Sequence, residues 1–181
     1  MRTKRLAAAT TAIALGAAGL ILTTGSAGAA GAGAVSPAST CSQSHLPLPD
    51  ASCQPGAYNS DVTQSTINST ICVPGWTKTV RPPASYTDAL KVQQIGEYGY
   101  SDTSTADYEE DHLVPLELGG APKDPKNLWP EPRNGDKPAA SKDEVENKLK
   151  VAVCDGRVQL DAARSAIATD WTTALSKVGI G

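Results

Sequence analysis

The spacing of apolar residues along the chain predicts three helices. The first spans residues 85–96, with Ser85 as its N-cap. The second spans residues 141–156 and opens with Ser-Lys-Asp-Glu, which has the pattern of a capping box. In the third, 160–175, apolar side chains recur every four positions and form one continuous face. Each of these faces indicates a helix that packs against a hydrophobic core.

Short runs between turn signals predict strands. Residues 70–73 and 77–80 form two such runs, separated by Pro-Gly. Residues 110–114 form a third, and 127–129 can return beside it after a reversal at the glycine pair 119–120. The second half of the chain is therefore expected to run strand, loop, strand, helix, with the helix packed across a two-stranded ribbon.

The first 29 residues have the features of a secretory signal peptide. Three basic residues precede a long uncharged stretch, and small residues at 27–29 supply a cleavage pattern after Ala29. Cleavage after Ala32 or Ala34 fits equally well. A transmembrane anchor is the alternative, but the many Ala, Thr and Gly residues favour cleavage. We therefore expect a secreted, extracellular protein with no membrane segment in its mature form.

Composition predicts one small α+β domain. The chain has 181 residues, of which 40% are hydrophobic and 4% aromatic, so its core is modest and benefits from covalent cross-links. Residues 30–40, rich in Ala, Gly and Ser, form a flexible leader. Residues 41–83 form a Cys- and Pro-rich segment with short strands, and residues 84–181 form the main domain with C-terminal helices. We expect a monomer.

Export favours disulfide bonds between the cysteines, because they persist in an oxidising compartment. Cys41, Cys53, Cys72 and Cys154 allow three pairings. Cys41 and Cys53 enclose a short Pro-rich segment that suits a local link, so we predict the pairs 41–53 and 72–154. A zinc site requires paired short cysteine spacings, which this chain lacks.

The candidate chemistry lies in an acidic run that ends at His112. Three carboxylates, at positions 109–111, precede it directly, and they favour a protonated imidazole unless a bound cation offsets their charge. A divalent metal explains this cluster. Strand alternation puts Asp111 and His112 on opposite faces, so a bend at Pro115 is needed to bring both to one substrate. With Asn127 on the returning strand, His112 can activate water beside a metal-held phosphate.

Three short motifs follow one another in this part of the chain: Asp111-His112-Leu-Val-Pro-Leu, Gly119-Gly120 and Asp124-Pro125-x-Asn127-Leu128. Together they resemble the core of the HNH (ββα-metal) endonuclease family over residues 107–150. The resemblance implies a ββα-metal core, with His112 as general base, Asp111 as a metal ligand and Asn127 fixing the histidine ring.

The family's metal ligand on the helix has no histidine counterpart in this chain. The candidates are Asn134, Asp143, Glu146 and Asn147. At 100° per residue, Glu146 borders the face that packs on the ribbon, whereas Asp143 and Asn147 point more nearly to solvent. We therefore favour Glu146. Oxygen ligands suit Mg²⁺ or Mn²⁺ as the cofactor.

These residues predict a secreted, metal-dependent nuclease that hydrolyses phosphodiester bonds of DNA or RNA with low sequence specificity. Removal of residues 1–29 lowers the formal net charge from −3 to −6, so phosphate binding has to come from local cations. Lys123, Lys126 and Arg133 flank the predicted cleft. The alternative is a non-catalytic, exported, disulfide-stapled binding or envelope-associated domain on the same scaffold, which the missing helix histidine and the acidic balance support.

Overall fold

A computed structural model describes residues 40–181 of the chain. The predicted signal peptide, its cleavage positions and the leader up to residue 39 lie outside the described residues. Within 40–181 the chain forms an α+β domain of five α-helices and a two-stranded antiparallel ribbon, which confirms the predicted fold class at this level. No helix in this range is long and apolar enough to cross a membrane.

The ribbon lies in the middle of the chain, between two groups of helices. Of the three predicted helices, the first two are present near their predicted bounds and the third is divided. The helices are α1 (Trp76–Val80), α2 (Ala84–Glu97), α3 (Ala139–Cys154), α4 (Leu160–Asp170) and α5 (Ala174–Lys177), and the strands are β1 (Tyr108–His112) and β2 (Leu128–Pro132).

The two strands pair antiparallel, with Tyr108 opposite Pro132 and His112 opposite Leu128. This pairing confirms the predicted ribbon, although β1 lies two residues earlier than the predicted run 110–114. The difference arises because Leu113 and Val114 are fully buried and lie in the loop that packs on the core. His112 therefore ends its strand, at the point where the chain leaves the ribbon.

The loop between the strands reverses at Gly119 and Gly120, as predicted. Gly119 has a positive φ of 72°, and a Cβ on Gly120 would lie 1.7 Å from the Val114 carbonyl oxygen, so neither position accepts a side chain without strain. Arg164 of α4 donates to the Leu118 carbonyl over 2.7 Å and to the Gly119 carbonyl over 3.2 Å. The guanidinium thus holds the reversal against α4.

Two clusters of buried side chains support the ribbon and its loop. The larger joins the segment 41–83 to α3, α4 and α5, and includes Val62, Ile71, Leu149 and Ile167. The smaller is aromatic and packs Trp129 of β2 against the residues that follow α2; it also contains Tyr98, Tyr100 and Tyr108. Residues 41–83 are therefore part of the same core as the ribbon and helices.

The strands predicted at 70–73 and 77–80 are wrong. The first stretch forms turns and the second belongs to α1. Ile71 is buried in the core cluster that also contains residues of α3, α4 and α5, so its side chain is covered without a sheet partner. Gly75, with a φ of 80°, immediately precedes the helix that replaces the second strand.

The helix starts differ from the predicted caps. α3 begins at Ala139, directly after Pro138, and no side chain caps it; the predicted capping box at 141 therefore lies inside the first turn. α2 begins at Ala84 after Pro83, so the predicted Ser85 cap is wrong too. Proline explains both differences, because its fixed φ suits the start of a helix.

The predicted helix 160–175 is interrupted after Asp170. The carboxylate of Asp170 accepts hydrogen bonds from the backbone N–H of Thr172 over 2.9 Å and from the Thr173 hydroxyl over 3.0 Å. Aspartate and threonine side chains compete in this way with helical hydrogen bonding. The chain therefore makes one turn before α5 begins.

Both predicted disulfides are confirmed. Cys41 is bonded to Cys53, and Cys72 is bonded to Cys154. The second bond joins the turn before α1 to the last residue of α3, so it ties the segment 41–83 to the helix beside the ribbon. All four cysteines of the chain are thus paired, which is consistent with an exported protein.

Replacing Cys72 and Cys154 together by alanine should lower the free energy of unfolding by about 2–5 kcal/mol. The Cys41/Cys53 double variant is the control and should cost roughly 1–2 kcal/mol less, because a shorter loop loses less entropy on closure. The separations are 82 and 12 residues. Urea unfolding measures both, and equal costs would contradict the expectation.

Candidate active site

A cleft of about 240 Å³ lies between β1, the loop that follows it and α3. It brings together Asp111, His112 and Glu146, as predicted from the sequence. Asp111 and His112 both reach it because β1 ends at His112 and the chain then bends at Pro115, which also lines the cleft. Six carboxyl groups give it an acidic character: Glu109, Glu110, Asp111, Glu117, Asp143 and Glu146.

His112 is 5% exposed, and its ring is held in one orientation. Nε2–H donates to the carbonyl oxygen of Pro122 over 3.0 Å. A carbonyl can only accept, so the neutral ring carries its proton on Nε2 and keeps the lone pair on Nδ1. Burial lowers the pKa of His112, against the opposing effects of the Pro122 bond and Asp111. The neutral ring is therefore favoured at pH 7.

Asn127 is fully buried and lies in the turn before β2. Its side-chain oxygen accepts from the Val114 N–H over 2.9 Å, and its nitrogen donates to the carbonyls of Val114 and Ala121 over 3.0 and 3.1 Å. Ala121 precedes Pro122, whose carbonyl holds the His112 ring. Asn127 thus acts on the histidine through the loop backbone, not through the direct contact that the resemblance implies.

Lys142 is buried beneath the cleft, with 1% of its side chain exposed. Its ammonium donates to Asp111 Oδ2 over 2.6 Å, to the His112 carbonyl over 2.9 Å, and to Glu146 Oε1. An ammonium has three donors, and all three are used. Burial lowers the pKa of Lys142, but the attraction of the neighbouring carboxylates is larger and raises it overall. The lysine therefore stays charged.

A third carboxyl group, Glu131 of β2, completes this buried cluster. It is 1% exposed, and both of its oxygens lack a hydrogen-bond donor. Burial and the nearby Asp111 raise the pKa of Glu131 to about 10, so it is protonated at neutral pH. A protonated carboxyl group carries no charge, so it can stay buried without a cation beside it. The cluster thus combines the Lys142 ammonium with Asp111 and Glu146, which bind it, and with the protonated Glu131.

Some carboxyl oxygens that line the cleft are buried without a hydrogen-bond donor. Both oxygens of Glu110 and Oε2 of Glu117 are buried without a partner, and burial raises the pKa of Glu110 to about 8, with Lys91 opposing. Such oxygens require a proton or a cation, and an all-oxygen donor set fits Mg²⁺ or Mn²⁺. Residues 40–181 nevertheless hold no preformed cluster of three or more His, Cys, Asp or Glu ligands.

The four candidates for the helix ligand occupy different positions. Glu146 is buried at the cleft, and burial raises its pKa against the opposing Lys142 ammonium. Asp143 and Asn147 are exposed, as predicted, although both line the rim of the cleft. Asn134 lies elsewhere, where its amide donates to Asp107 over 3.4 Å. Glu146 is therefore the candidate that lies beside Asp111, since both bind the same ammonium.

The predicted phosphate-binding residues Lys123, Lys126 and Arg133 do not line the cleft. Both lysines are exposed, and Arg133 pairs with Glu109 over 2.9 Å. Among the lining residues within 40–181, Arg81 is instead the one permanent cation. Arg81 directly follows α1 and precedes two prolines. The positive charge at the cleft therefore comes from the segment 41–83, and not from the predicted residues Lys123, Lys126 and Arg133.

Two residues of the site could not be identified from the motif alone. Lys142 carried one signal, because a lysine four residues before Glu146 can pair with it along a helix, but such pairs are normally exposed. Glu131 carried none, because its burial depends on tertiary contacts that a local sequence pattern does not show. The sequence pattern therefore located the cleft but missed the buried cluster under it.

Glu131→Gln should stabilise the fold, and the gain should grow with pH. Folded Glu131 keeps its proton up to about pH 10, whereas the unfolded chain loses it near 4.5, so folding above pH 4.5 must take up a proton. Glutamine avoids this cost and keeps a neutral donor. Thermal unfolding should show a Tm gain that increases from pH 5 to pH 8. Glu144→Gln, exposed on α3, is the control, and a gain that shrinks with pH would contradict the assignment.

The chain matches no protein-family model, and comparison with curated proteins and with solved structures returns no similar protein. Neither the fold nor the cleft therefore inherits a function from a relative. What the cleft can do follows from its own residues: an oriented histidine, an acidic lining and a buried ammonium beneath two carboxylates.

Proposed function

We propose that the protein is a secreted, metal-dependent nuclease that hydrolyses phosphodiester bonds of DNA or RNA with low sequence specificity. The observation that carries the proposal is the geometry of His112. Its Nε2 is fixed on the Pro122 carbonyl, which leaves Nδ1 as a base, and the ring lines an acidic cleft. A buried, oriented, neutral imidazole is the arrangement that general-base catalysis requires.

The chain order around this histidine supports a ββα-metal core. β1 ends at His112, the loop 113–127 follows, β2 returns beside β1, and α3 approaches the ribbon so that Lys142 reaches Asp111. The same order underlies the resemblance to HNH endonucleases. Asp111 and Glu146 approach each other from the strand and the helix, which are the two elements that hold the metal in that arrangement.

In the proposed reaction His112 takes a proton from water at Nδ1. The resulting hydroxide adds to phosphorus, the bond from phosphorus to one ester oxygen breaks, and that oxygen leaves with the electron pair. The leaving oxygen takes up a proton from solvent, and His112 returns its proton to solvent. The Pro122 carbonyl holds the His112 ring in one orientation during the reaction, and Asn127 fixes the loop that contains this carbonyl. Burial favours the neutral ring, so His112 starts the reaction as an acceptor.

Asp111 and Glu146 are the residues that would hold the metal. Each uses one carboxylate oxygen on Lys142, so a second oxygen on each is available. A bound Mg²⁺ or Mn²⁺ would offset the charge of the phosphate and of the developing transition state. Without a cation, the ionised carboxylates among the residues that line the cleft would repel a phosphodiester.

Arg81 is the candidate for the substrate phosphate. It lines the cleft beside His112 and is exposed. A guanidinium can bind two phosphate oxygens at once. One such contact gives weak, salt-sensitive binding without sequence preference, which agrees with the low specificity we propose.

A second candidate function is a non-catalytic, exported binding or envelope-associated domain. Lys142 favours it, because the ammonium already neutralises both predicted metal ligands. Such a cluster could be a structural ion pair under an acidic surface. The two functions differ in one respect that can be measured, namely turnover of nucleic acid.

Purified protein should cleave plasmid DNA or RNA when Mn²⁺ or Mg²⁺ is added, and His112→Ala should lower the rate by about 10² to 10⁴-fold, the effect of removing a positioned base. Because burial lowers the pKa of His112, the rate should rise with pH, with its midpoint below 6.5, and level off near neutrality. Gel assays and a pH–rate profile measure both. His45→Ala, at an exposed histidine, is the control and should be fully active.

No cleavage by the wild type under any of these conditions would support the binding domain instead. Equal rates for wild type and His112→Ala would place the active site elsewhere. Asn127→Ala should lower the rate less than His112→Ala, because it loosens the loop without removing the base.

Arg81→Gln should weaken binding of a short single-stranded oligonucleotide by roughly 10-fold, the loss of one charge-assisted contact. The slope of log affinity against log salt should fall by about 0.7. Arg133→Gln removes the same charge at a residue that pairs with Glu109 and is the matched control. Fluorescence anisotropy with the inactive His112→Ala background measures binding alone, and equal losses in both variants would contradict the assignment to Arg81.

A further inference from the structure

The ammonium of Lys142 is fully bonded under the floor of the cleft. Its three acceptors come from the ribbon and the helix: Asp111 Oδ2 and the His112 carbonyl on β1, and Glu146 on α3. The side chain is 1% exposed, so it cannot touch a phosphodiester. Lys142 can therefore affect the cleft only through the three groups that it binds, namely Asp111, the His112 carbonyl and Glu146.

We propose that Lys142 is a positioning residue of the metal site, which holds one oxygen of Asp111 and one of Glu146 and thereby presents the second oxygen of each carboxylate to the cleft. This inference rests on the proposed function. Both carboxylates line the cleft, and both bind the same nitrogen, so their separation is set by the ammonium. The site is thus arranged before a divalent ion arrives.

Two opposite effects of the lysine can be distinguished by their sign. A positive charge near a metal site repels an incoming cation, so removing it would tighten metal binding. Without the ammonium, however, the half-buried Asp111 and the buried Glu146 would repel each other and lose their common anchor. Because all three donors of Lys142 are used, we expect positioning to outweigh repulsion.

Titration calorimetry with Mn²⁺ tests the proposal on the full, folded protein. Lys142→Met should weaken Mn²⁺ binding by about 10- to 100-fold, the usual effect of removing a group that orients a metal ligand. Lys148→Met removes the same charge from an exposed position on α3 and should bind Mn²⁺ like the wild type. Lys142→Arg should be intermediate, because a planar guanidinium keeps the charge but cannot place one nitrogen on three acceptors.

An NMR measurement on the wild type covers the case in which Lys142→Met does not fold. With ¹⁵N-labelled lysine, a buried and fully bonded ammonium gives a signal protected from exchange with water. Addition of Mg²⁺ should shift the Lys142 signal and leave it protected. Loss of the signal on metal binding would mean that the metal displaces the lysine, and would overturn the proposal.

The outcomes separate this inference from the proposed function. Wild-type protein that binds Mn²⁺, with unchanged or tighter binding in Lys142→Met, would overturn the positioning role and leave the metal site standing. Wild-type protein that binds no Mn²⁺ would overturn the metal-dependent function and this inference with it. Weaker binding in Lys142→Met, with Lys148→Met unchanged, supports both.

Discussion

The arrangement of the candidate site depends on one buried positive charge. The ammonium of Lys142 joins the end of β1 to the first turns of α3 through Asp111, the His112 carbonyl and Glu146. A buried charge is costly unless it is paired and fully hydrogen-bonded, and here it is. Separating α3 from the ribbon would leave the Lys142 ammonium buried without partners, which is unfavourable. The two sides of the cleft are therefore held at a fixed distance.

Other contacts in the structure fix the position of His112 at the cleft. Asn127 ties the loop after β1 together from within, and Arg164 holds the glycine reversal from α4. The Pro122 carbonyl within that loop fixes the orientation of the His112 ring. The segment 41–83 also contributes to the site, because it shares the main hydrophobic core and places Arg81 at the cleft. Residues far apart in sequence thus determine one orientation of one imidazole.

The ribbon, the long helices and both disulfides could be predicted because each depends on local pattern or spacing. The glycine pair 119–120 and the cysteine separations carried that information. The strands predicted at 70–73 and 77–80 failed because tertiary packing covers Ile71 without a sheet partner. In the candidate site, residues next to the motif were found, whereas Lys142 and Glu131 were missed because their burial depends on tertiary contacts that a local sequence pattern does not show.

The proposed function requires that the cleft between β1 and α3 hold one divalent cation beside His112. This can be tested with a crystal structure of the wild-type protein grown with Mn²⁺ and recorded at an X-ray energy where manganese scatters anomalously. We expect one strong anomalous peak in the cleft, bound by a carboxylate oxygen of Asp111 and one of Glu146, with Lys142 still bonded to both. A peak bound elsewhere on the surface, or a cleft without manganese at saturating concentration, would contradict it.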